Sequence, residues 1–168
     1  LPTIKFLLKN NISIILMSHL GRPQKKDRQH SLRVLIPYLE KLTKQRICFL
    51  ETPTKQKIPQ GSIGLLENLR FFSGEQKNEK NFCKTLAKLG DIYINDAFGS
   101  SHRDHASISG IHHFFPQEKY KGLLLESELS QLKKLKNNPQ HPYTIIVGGA
   151  KIGSKIHMLQ SFLNVADN

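Results

Sequence analysis

The fold class is indicated first by one segment of the sequence, ISIILMSHLGRP, which spans Ile12 to Pro23. Its first half, Ile12–Met17, is short, rich in β-branched residues and apolar at nearly every position, which is typical of a parallel strand buried on both faces. A glycine and a proline in the second half predict a loop directly after that strand. Because ligands of open α/β sheets bind at the carboxyl ends of the strands, His19 and Arg22 are predicted to face an anion there. A turn of this composition can also simply end a strand, and both interpretations stay open at this point.

Apolar segments with the length of a strand recur along the chain and alternate with helical patterns. The further strand candidates are Ile47–Leu50, Ile63–Leu66, Asp91–Ile94 and Thr144–Val147. Helical spacing of apolar residues predicts helices that begin at Pro2 and cover Leu32–Leu42, Glu79–Leu89 and Lys155–Val165. The apolar face predicted for the second of these comprises Leu32, Leu35, Ile36, Leu39 and Leu42. Since parallel neighbours need crossover connections, the alternation predicts an α/β fold, a three-layer Rossmann-like parallel sheet with helices on both faces.

The composition limits the kinds of partner. The chain has 168 residues, a formal net charge of +12 and an isoelectric point near 9.8. This length is typical of one domain, and this charge predicts a nucleic acid, a membrane surface or a phosphorylated metabolite as partner. Basic residues are scattered without interleaved aromatic residues, which argues against specific nucleic-acid binding, and no stretch approaches the ~20 apolar residues of a membrane span. Cys48 and Cys83 show no Cys-x-x-Cys spacing, so reduced thiols in a cytoplasmic protein are expected.

Charged groups follow three of the predicted strands at their carboxyl ends. Arg70 lies in the run Leu65–Phe71, which closes one strand candidate, and Arg103 lies in Asn95–Ser107, which follows the strand candidate Asp91–Ile94. Together with His19 and Arg22, these side chains are predicted to meet in one crevice, where an anion would offset their repulsion. Guanidinium groups match the geometry of phosphate and carboxylate oxygens. The predicted ligand therefore carries a phosphate, a carboxylate or both.

A second phosphate-binding element is predicted in the sequence GGAKIGSK, which spans Gly148 to Lys155. Glycines allow the backbone to approach a ligand, and the start of the predicted helix offers free N–H groups. Lys151 and Lys155 lie four residues apart and are expected to point the same way. The spacing differs from that of a Walker loop.

Four of these segments, in this order, resemble signature sequences of the N-terminal domain of phosphoglycerate kinase. They are Ser18–Pro23, Leu65–Phe71, Asp91–Ser107 and Gly148–Ile156, and Gly122–Leu129 is similar to the segment that the family places between the last two. The match covers nearly the whole chain. The resemblance implies that residues 1–168 form a partial N-terminal, phosphoglycerate-binding domain, without the family's first strand and without its C-terminal nucleotide domain.

The resemblance also implies a role for each residue of the two candidate sites. The residues expected to bind 3-phosphoglycerate or 1,3-bisphosphoglycerate are His19, Leu20, Gly21, Arg22, Arg70 and Arg103. The residues expected to contact the nucleotide are Gly149, Ala150 and Lys155. Lys151 and Arg22 are the expected catalytic residues, with Lys151 stabilising the phosphoryl group in transit.

The reaction that the resemblance implies is glycolytic: a reversible phosphoryl transfer between 1,3-bisphosphoglycerate and ADP that gives 3-phosphoglycerate and ATP. Such chemistry needs in-line positioning and positive charge rather than a covalent nucleophile. Mg²⁺ is expected to accompany ATP or ADP and to be bound mainly by the C-terminal domain, with no metal ligand in this chain. The intact protein is expected to be a cytosolic monomer without a nucleic-acid or membrane partner, and the chain alone is expected to be inactive.

Two residues depart from the usual pattern of the family. Asp104 stands beside Arg103, where an acid is expected to compete with phosphate for the arginine. Gly153 lies early in a predicted helix, where glycine costs up to ~1 kcal/mol relative to alanine. Neither change removes a residue expected to bind a ligand.

Alternative interpretations remain for several residues and for the chain. His102, His105, His112 and His113 are close in sequence, but a structural zinc site usually needs cysteines or a tighter arrangement, so packing or surface roles are favoured. Glu67 and Asn68 are expected to brace Arg70 rather than to contact substrate. The alternative function is a non-catalytic module, or a truncated product, that binds phosphate or polyanions without turnover. The sequence on either side of this segment would discriminate the two functions.

Overall fold

The computed structural model describes residues 1–56, 58–137, 139–146, 160–162 and 165–167. They divide into two compact units, Leu1–Leu125 and Glu126–Asn168. Among the residues so described, no helix combines the length and the apolar character that a membrane crossing requires. The first unit contains both sheets and the residues that follow their strands.

Two parallel sheets form the first unit. The larger has the strand order β1-β3-β2, where β1 is Ile14–Leu16, β2 is Ile47–Leu50 and β3 is Ile63–Leu66. The smaller pairs β4 (Tyr93–Asn95) with β5 (Lys119–Lys121). In the larger sheet Ile63 lies between Ile14 and Ile47 in register. The predicted parallel α/β fold is therefore confirmed.

The pairing leaves four strands bonded on one side. Within the described part of the chain, β1 and β2 each pair with β3 alone, and β4 and β5 pair with each other alone. A strand at the edge of a sheet exposes backbone N–H and C=O groups along that side. The central β3 is different, because it has a neighbour on each side.

Five α-helices and several short helical turns lie before, between and after the strands in the described residues. They are α1 (Pro2–Lys9), α2 (Ile36–Thr43), α3 (Ser73–Gln76), α4 (Lys80–Ala87) and α5 (Leu123–Asn137). Three-residue and four-residue 3₁₀ turns span Leu32–Leu35, Leu69–Phe71, Phe98–Ser100 and Ile111–Phe114, and a π-helical turn spans Ala106–Gly110. As the sequence predicts, α1 begins with a proline at its first turn, where a missing N–H costs no hydrogen bond.

The predicted helix over Leu32–Leu42 forms as a 3₁₀ turn followed by α2, but its apolar face is narrower than expected. Leu32 is buried, whereas Leu35 and Leu42 are 38% and 52% exposed. The 3₁₀ turn rotates the side chains differently from an α-helix, so the five apolar residues do not share one face. Ile36 and Leu39 supply the contacts of α2 with the core.

The core consists of two clusters on either side of β3. One side packs Ile63 and Leu65 with Leu32 and Ile47, supported by residues of α1. The other side packs Leu66 with the residues Leu50, Leu69, Cys83, Leu86, Tyr93, Ala106, Ile111 and Phe115. Every residue of β3 is buried, as is typical of a parallel strand covered on both faces. The segment directly after β3, Glu67–Arg70, therefore begins at the centre of the core and remains buried where it reaches the edge of the sheet.

The start of α5 is capped by side chains that are distant in sequence. Asp96, which follows β4, accepts hydrogen bonds from the backbone N–H groups of Leu124 and Leu125 at 2.9 and 3.1 Å. Its other carboxylate oxygen accepts from the Thr3 hydroxyl at 2.7 Å, and Thr3 in turn accepts from the N–H of Leu123 at 3.0 Å. The first N–H groups of a helix lack partners within the helix, so this pair of side chains supplies them.

The described residues after α5 include part of the strand predicted over Thr144–Val147 and part of the helix predicted over Lys155–Val165. Thr144–Ile146, most of the strand predicted over Thr144–Val147, forms no strand in the described residues, and Ile146 is 93% exposed. An extended segment becomes a strand only when a neighbouring strand bonds to it, and the described residues of its own unit contain none. In the helix predicted over Lys155–Val165, Gln160–Phe162 are helical and most of the remainder lies outside the described residues.

Candidate functional site

The loop after β1 carries His19 and Arg22 and is held to the segment after β3. The backbone N–H of Leu69 donates to the Ser18 carbonyl at 3.1 Å, and the amide of Asn68 donates to the Leu20 carbonyl at 2.8 Å. These bonds join the carboxyl ends of two adjacent strands. The predicted meeting of these segments at one sheet edge therefore has a direct structural basis.

Gly21 occupies the tightest point of this loop. Its φ of +63° lies in the left-handed region that favours glycine, and a Cβ there would lie 2.4 Å from Cδ2 of His30. His30 is itself fixed by Asp27, whose carboxylate oxygens both lie 2.9 Å from its Nδ1. The His30 ring therefore restricts the loop to one backbone conformation at Gly21.

Asn68 and Glu67 brace the segment from below. Asn68 is fully buried; its amide also donates to the His30 carbonyl at 2.8 Å, and its Oδ1 accepts from the Arg70 N–H at 3.0 Å. Glu67, 4% exposed, accepts from the Ser31 hydroxyl at 2.7 Å and from the Leu32 N–H at 2.9 Å. The expected support of Arg70 is therefore direct for Asn68, whereas Glu67 holds Ser31, Leu32 and the N–H of Asn68.

Arg70 and Arg103 each have a buried donor without an acceptor. Arg70 is 8% exposed, and its Nη1 donates to the Gly21 carbonyl. Among the described residues, the Nε atoms of Arg70 and Arg103 are buried and make no hydrogen bond. A buried donor left unpaired costs roughly 1–3 kcal/mol, so two of them in one place suit a ligand with several acceptor oxygens.

The electrostatics show that these cations share one location. Burial, followed by Arg70, Arg103 and His105, lowers the pKa of His19. Burial, followed by Arg103 and Arg22, lowers the pKa of Arg70. We call the five residues the basic cluster: His19, Arg22, Arg70, Arg103 and His105. Like charges this close disfavour one another, and an anion would relieve them.

His105 is the member of the basic cluster that sequence reasoning assigned elsewhere. Burial and the positive charges of Arg70 and Arg103 lower its pKa, so it resembles His19 electrostatically. The available signal was its position two residues after Arg103 in the same loop. Within the described ranges, no three His, Cys, Asp or Glu side chains are grouped so as to hold a metal ion. The rings of His112 and His113 instead lie beside each other, with centroids 4.1 Å apart and planes tilted by 38°.

Asp104 does not pair with Arg103. Its carboxylate accepts from the Asn78 amide at 2.7 Å and from the Ser109 hydroxyl. The expected competition with phosphate is therefore replaced by a structural contact that fastens the loop to the region between α3 and α4.

The remaining predicted residues divide into two groups. Leu20 and Arg22 lie exposed on the loop after β1, with Gly21 between them. The residues of the predicted nucleotide element lie outside the described residues: Gly149, Ala150, Lys151 and Lys155, together with Gly153.

Comparison with known proteins gives one family. The family model of phosphoglycerate kinase matches residues 1–168. A Wolinella succinogenes protein named phosphoglycerate kinase is 44% identical over 173 residues, which cover 99% of this chain and 43% of that protein. Two Arabidopsis thaliana relatives, named cytosolic and chloroplastic phosphoglycerate kinases, are 39% and 43% identical.

The solved structures agree. The structure of phosphoglycerate kinase from Coxiella burnetii matches with a TM-score of 0.86 at 34% identity. The match covers 99% of this chain and 43% of that chain. The chain thus spans less than half the length of the relatives that it matches.

Proposed function

This chain belongs to the phosphoglycerate kinase family, and on that premise we propose that it forms the phosphoglycerate-binding part of the enzyme. The proposed reaction is the reversible transfer of a phosphoryl group between 1,3-bisphosphoglycerate and ADP, which gives 3-phosphoglycerate and ATP. The residues proposed to bind phosphoglycerate are His19, Leu20, Gly21, Arg22, Arg70 and Arg103. Because the chain spans less than half the length of its relatives, the complete activity is proposed for the gene product that contains it.

One observation carries this proposal: two arginines, each with a buried Nε that has no partner among the described residues, lie in one cluster of cations. Phosphoglycerate carries a phosphate at one end and a carboxylate at the other, and guanidinium groups bind both in a planar geometry. Arg22 is exposed at the side of the cluster, so it is proposed to close on the substrate and to act in catalysis together with Lys151.

The nucleotide part of the proposal rests on sequence. Glycines before a predicted helix allow phosphates to approach the backbone, so Gly149, Ala150 and Lys155 are proposed to contact ATP or ADP. Lys151 is proposed to stabilise the charge of the phosphoryl group during transfer. Mg²⁺ is proposed to arrive with the nucleotide. The described residues do not fit a metal site, because their cluster is cationic and no group of metal-binding side chains lies among them.

The cellular compartment and the oligomeric state of the protein are also proposals, because family membership does not fix them. Relatives are named both cytosolic and chloroplastic, and the low cysteine content of this chain favours a reducing cytosol. A monomeric gene product that uses small-molecule substrates, with no nucleic-acid or membrane partner, is proposed.

The proposal is tested by following the arginine Nε–H signals in an NMR titration with 3-phosphoglycerate. The signals of Arg70 and Arg103 are expected to shift as their unpaired Nε–H groups gain acceptors. Arg33 is the internal reference, because it lies over the Phe49 ring at 4.2 Å and pairs with Glu51 at 2.8 Å. Equal shifts at all three arginines would contradict the proposal, and displacement by sulfate at equal concentration would favour the non-catalytic anion-binding module.

A further inference from the structure

Glu75 is a buried carboxylate that lies behind the basic cluster. It is located in α3, five residues after Arg70, and is 2% exposed. Its Oε1 accepts from the Ser107 hydroxyl at 2.6 Å, and its Oε2 accepts from the Ser107 N–H at 3.1 Å. The same Oε1 lies 3.7 Å from Nδ1 of His105. One side chain therefore connects the segment that carries Arg70 with the loop that carries Arg103.

Ser107 is the point at which three elements meet. Its N–H and hydroxyl donate to Glu75 from α3, and its carbonyl accepts from the Tyr93 hydroxyl of β4 at 2.8 Å. Ser107 follows Arg103 by four residues and lies in the π-helical turn that ends the loop. Because all its main hydrogen-bonding groups are satisfied by other elements, its backbone has little freedom to move.

The guanidinium groups of Arg70 and Arg103 are held far less firmly. Among the described residues, the guanidinium group of Arg70 makes one hydrogen bond, from Nη1 to the Gly21 carbonyl, and the Nε atoms of Arg70 and Arg103 have no partner. The distance between the two guanidinium groups is thus determined mainly by where their backbones are anchored. The connection through Glu75 and Ser107 is the anchor that spans both.

The charge of Glu75 faces several groups. Arg70 lies on its own segment, His105 on the loop, and Cys83 and Tyr93 on α4 and β4. Burial raises the pKa of Glu75, while the hydrogen bonds from Ser107 and the charge of Arg70 act in the opposite direction. Burial and then the Glu75 carboxylate raise the pKa of Tyr93, to about 12. Glu75 is therefore an acid placed where its negative charge is felt by the cations in front of it.

We propose that Glu75 is a positioning residue for phosphoglycerate: through Ser107 it fixes the spacing of Arg70 and Arg103, and its charge reduces their repulsion. This inference rests on the proposed function, because it takes phosphoglycerate as the anion that the arginines bind. Glu75 itself is buried beneath the cluster and touches no substrate. Glu75 therefore affects the affinity for phosphoglycerate and not the affinity for the nucleotide.

The test compares Glu75→Gln with the wild-type gene product in steady-state kinetics. Glutamine keeps the size of the side chain and removes the charge and one good acceptor, so KM for 3-phosphoglycerate is expected to rise about tenfold. KM for ATP is expected to stay unchanged. Glu79→Gln is the matched control, since Glu79 is exposed shortly after α3 and its carboxylate, among the described residues, pairs with Lys77 at 3.8 Å.

Two further measurements separate positioning from general destabilisation. Ser107→Ala removes one hydroxyl donor, so it is expected to raise KM for 3-phosphoglycerate a few-fold and to have no further effect when added to Glu75→Gln. The difference between wild type and Glu75→Gln is expected to shrink as the pH falls through the pKa of Glu75, because protonation makes the two side chains alike. Should Glu75→Gln fail to fold, Ser107→Ala alone decides.

The outcomes are distinguishable from failure of the proposed function. Arg103→Ala is measured in the same assay and reports whether phosphoglycerate uses the basic cluster at all. An effect of Arg103→Ala with unchanged KM in folded Glu75→Gln would overturn the positioning role alone. A fall in kcat with both KM values unchanged would show a merely structural role. No effect of Arg103→Ala would overturn the proposed function and this inference together.

Discussion

The segments after β3 and after β1 approach the same sheet edge in opposite states. Residues Glu67–Arg70 are buried and held by a network of side-chain hydrogen bonds, whereas Leu20, Gly21 and Arg22 are exposed. The two are joined by Asn68, which donates to the Leu20 carbonyl. The fixed part of the site is thus built as an extension of the core, and the exposed loop takes its position from that buried segment. Removing a site side chain from the buried segment should therefore affect folding and binding together, and removing one from the loop should affect binding alone.

The strongest test of the buried segment is Asn68→Ala. The change leaves the Leu20 and His30 carbonyls and the Arg70 N–H without their partner, and lost buried hydrogen bonds of this kind lower the free energy of unfolding by about 2–4 kcal/mol. Urea denaturation measures this difference. Asn81→Ala, an exposed change on α4, is the control and should stay within about 0.5 kcal/mol of wild type. Similar values for the two variants would remove the distinction between the segments.

Arginine substitutions sharpen the contrast at the level of binding. Arg22→Ala should weaken phosphoglycerate binding by about 1.5–3 kcal/mol, the scale of a charge-assisted contact, and leave the unfolding free energy nearly unchanged. Arg70→Ala should weaken binding to a similar degree and also lower stability, because Arg70 donates to the Gly21 carbonyl. Calorimetric titration and denaturation of each variant give both quantities. Arg28→Ala, on the same loop region and exposed, should change neither.

Gly21→Ala tests whether the loop has a single backbone path. An L side chain at a φ of +63° costs roughly 1–2 kcal/mol, and the new Cβ would also displace the His30 ring. The melting temperature should fall and phosphoglycerate should bind more weakly. Gly99→Ala is the matched control, because a Cβ there meets no atom of the described residues within 4 Å. Equal melting temperatures for the two variants would show that the loop adapts freely.

The smallest expected effect is a pH dependence of binding. Burial and the neighbouring arginines lower the pKa values of His19 and His105 below the ordinary value of 6.5, and a bound anion favours the protonated imidazoles. Phosphoglycerate binding should therefore take up protons, so affinity falls as the pH rises from the lowered pKa to that of the complex. Calorimetry in two buffers with different ionisation enthalpies measures the uptake.

The lowered pKa values of His19 and His105 also predict how the stability of the ligand-free protein changes with pH. Their folded-state pKa values are lowered, so the unfolded chain binds more protons in this range, and stability decreases as the pH is lowered below about 6.5. His19→Gln should reduce both effects. Proton uptake that persists unchanged in His19→Gln would assign it to another group.

The sequence predicts the elements that carry a strong local signal. β1, β2 and β3 are apolar runs, and Arg70 and Arg103 follow strands, so their common edge was predictable from the parallel topology. β5 was missed because Lys119-Tyr120-Lys121 is exposed throughout and has no apolar pattern. The exposure of Leu35 and Leu42 was missed because helical spacing does not reveal a 3₁₀ turn.

The site was predictable in its cations and not in their supports. Glu75 and Ser107 are separated by 32 residues, and no local pattern indicates that they bond. The same holds for Asp104, whose neighbour in sequence is Arg103 but whose hydrogen-bond partners are Asn78 and Ser109. Spacing along the chain predicts which groups reach the sheet edge, and long-range contacts determine which of them pair.

The cap formed by Asp96 and Thr3 at the start of α5 has a kinetic consequence. In this cap Thr3 bonds to Asp96, which is 93 residues away, and to Leu123, which is 120 residues away. Forming the cap therefore closes loops that span most of the first unit. Loop closure of this length costs chain entropy before the contact repays it, which places the cap late on the folding route. Asp96→Asn should then accelerate unfolding and leave the refolding rate as it is, which stopped-flow measurements in urea would detect on one limb of the chevron plot. The Asp96 carboxylate thus lengthens the lifetime of the native state and leaves the rate of its formation unchanged.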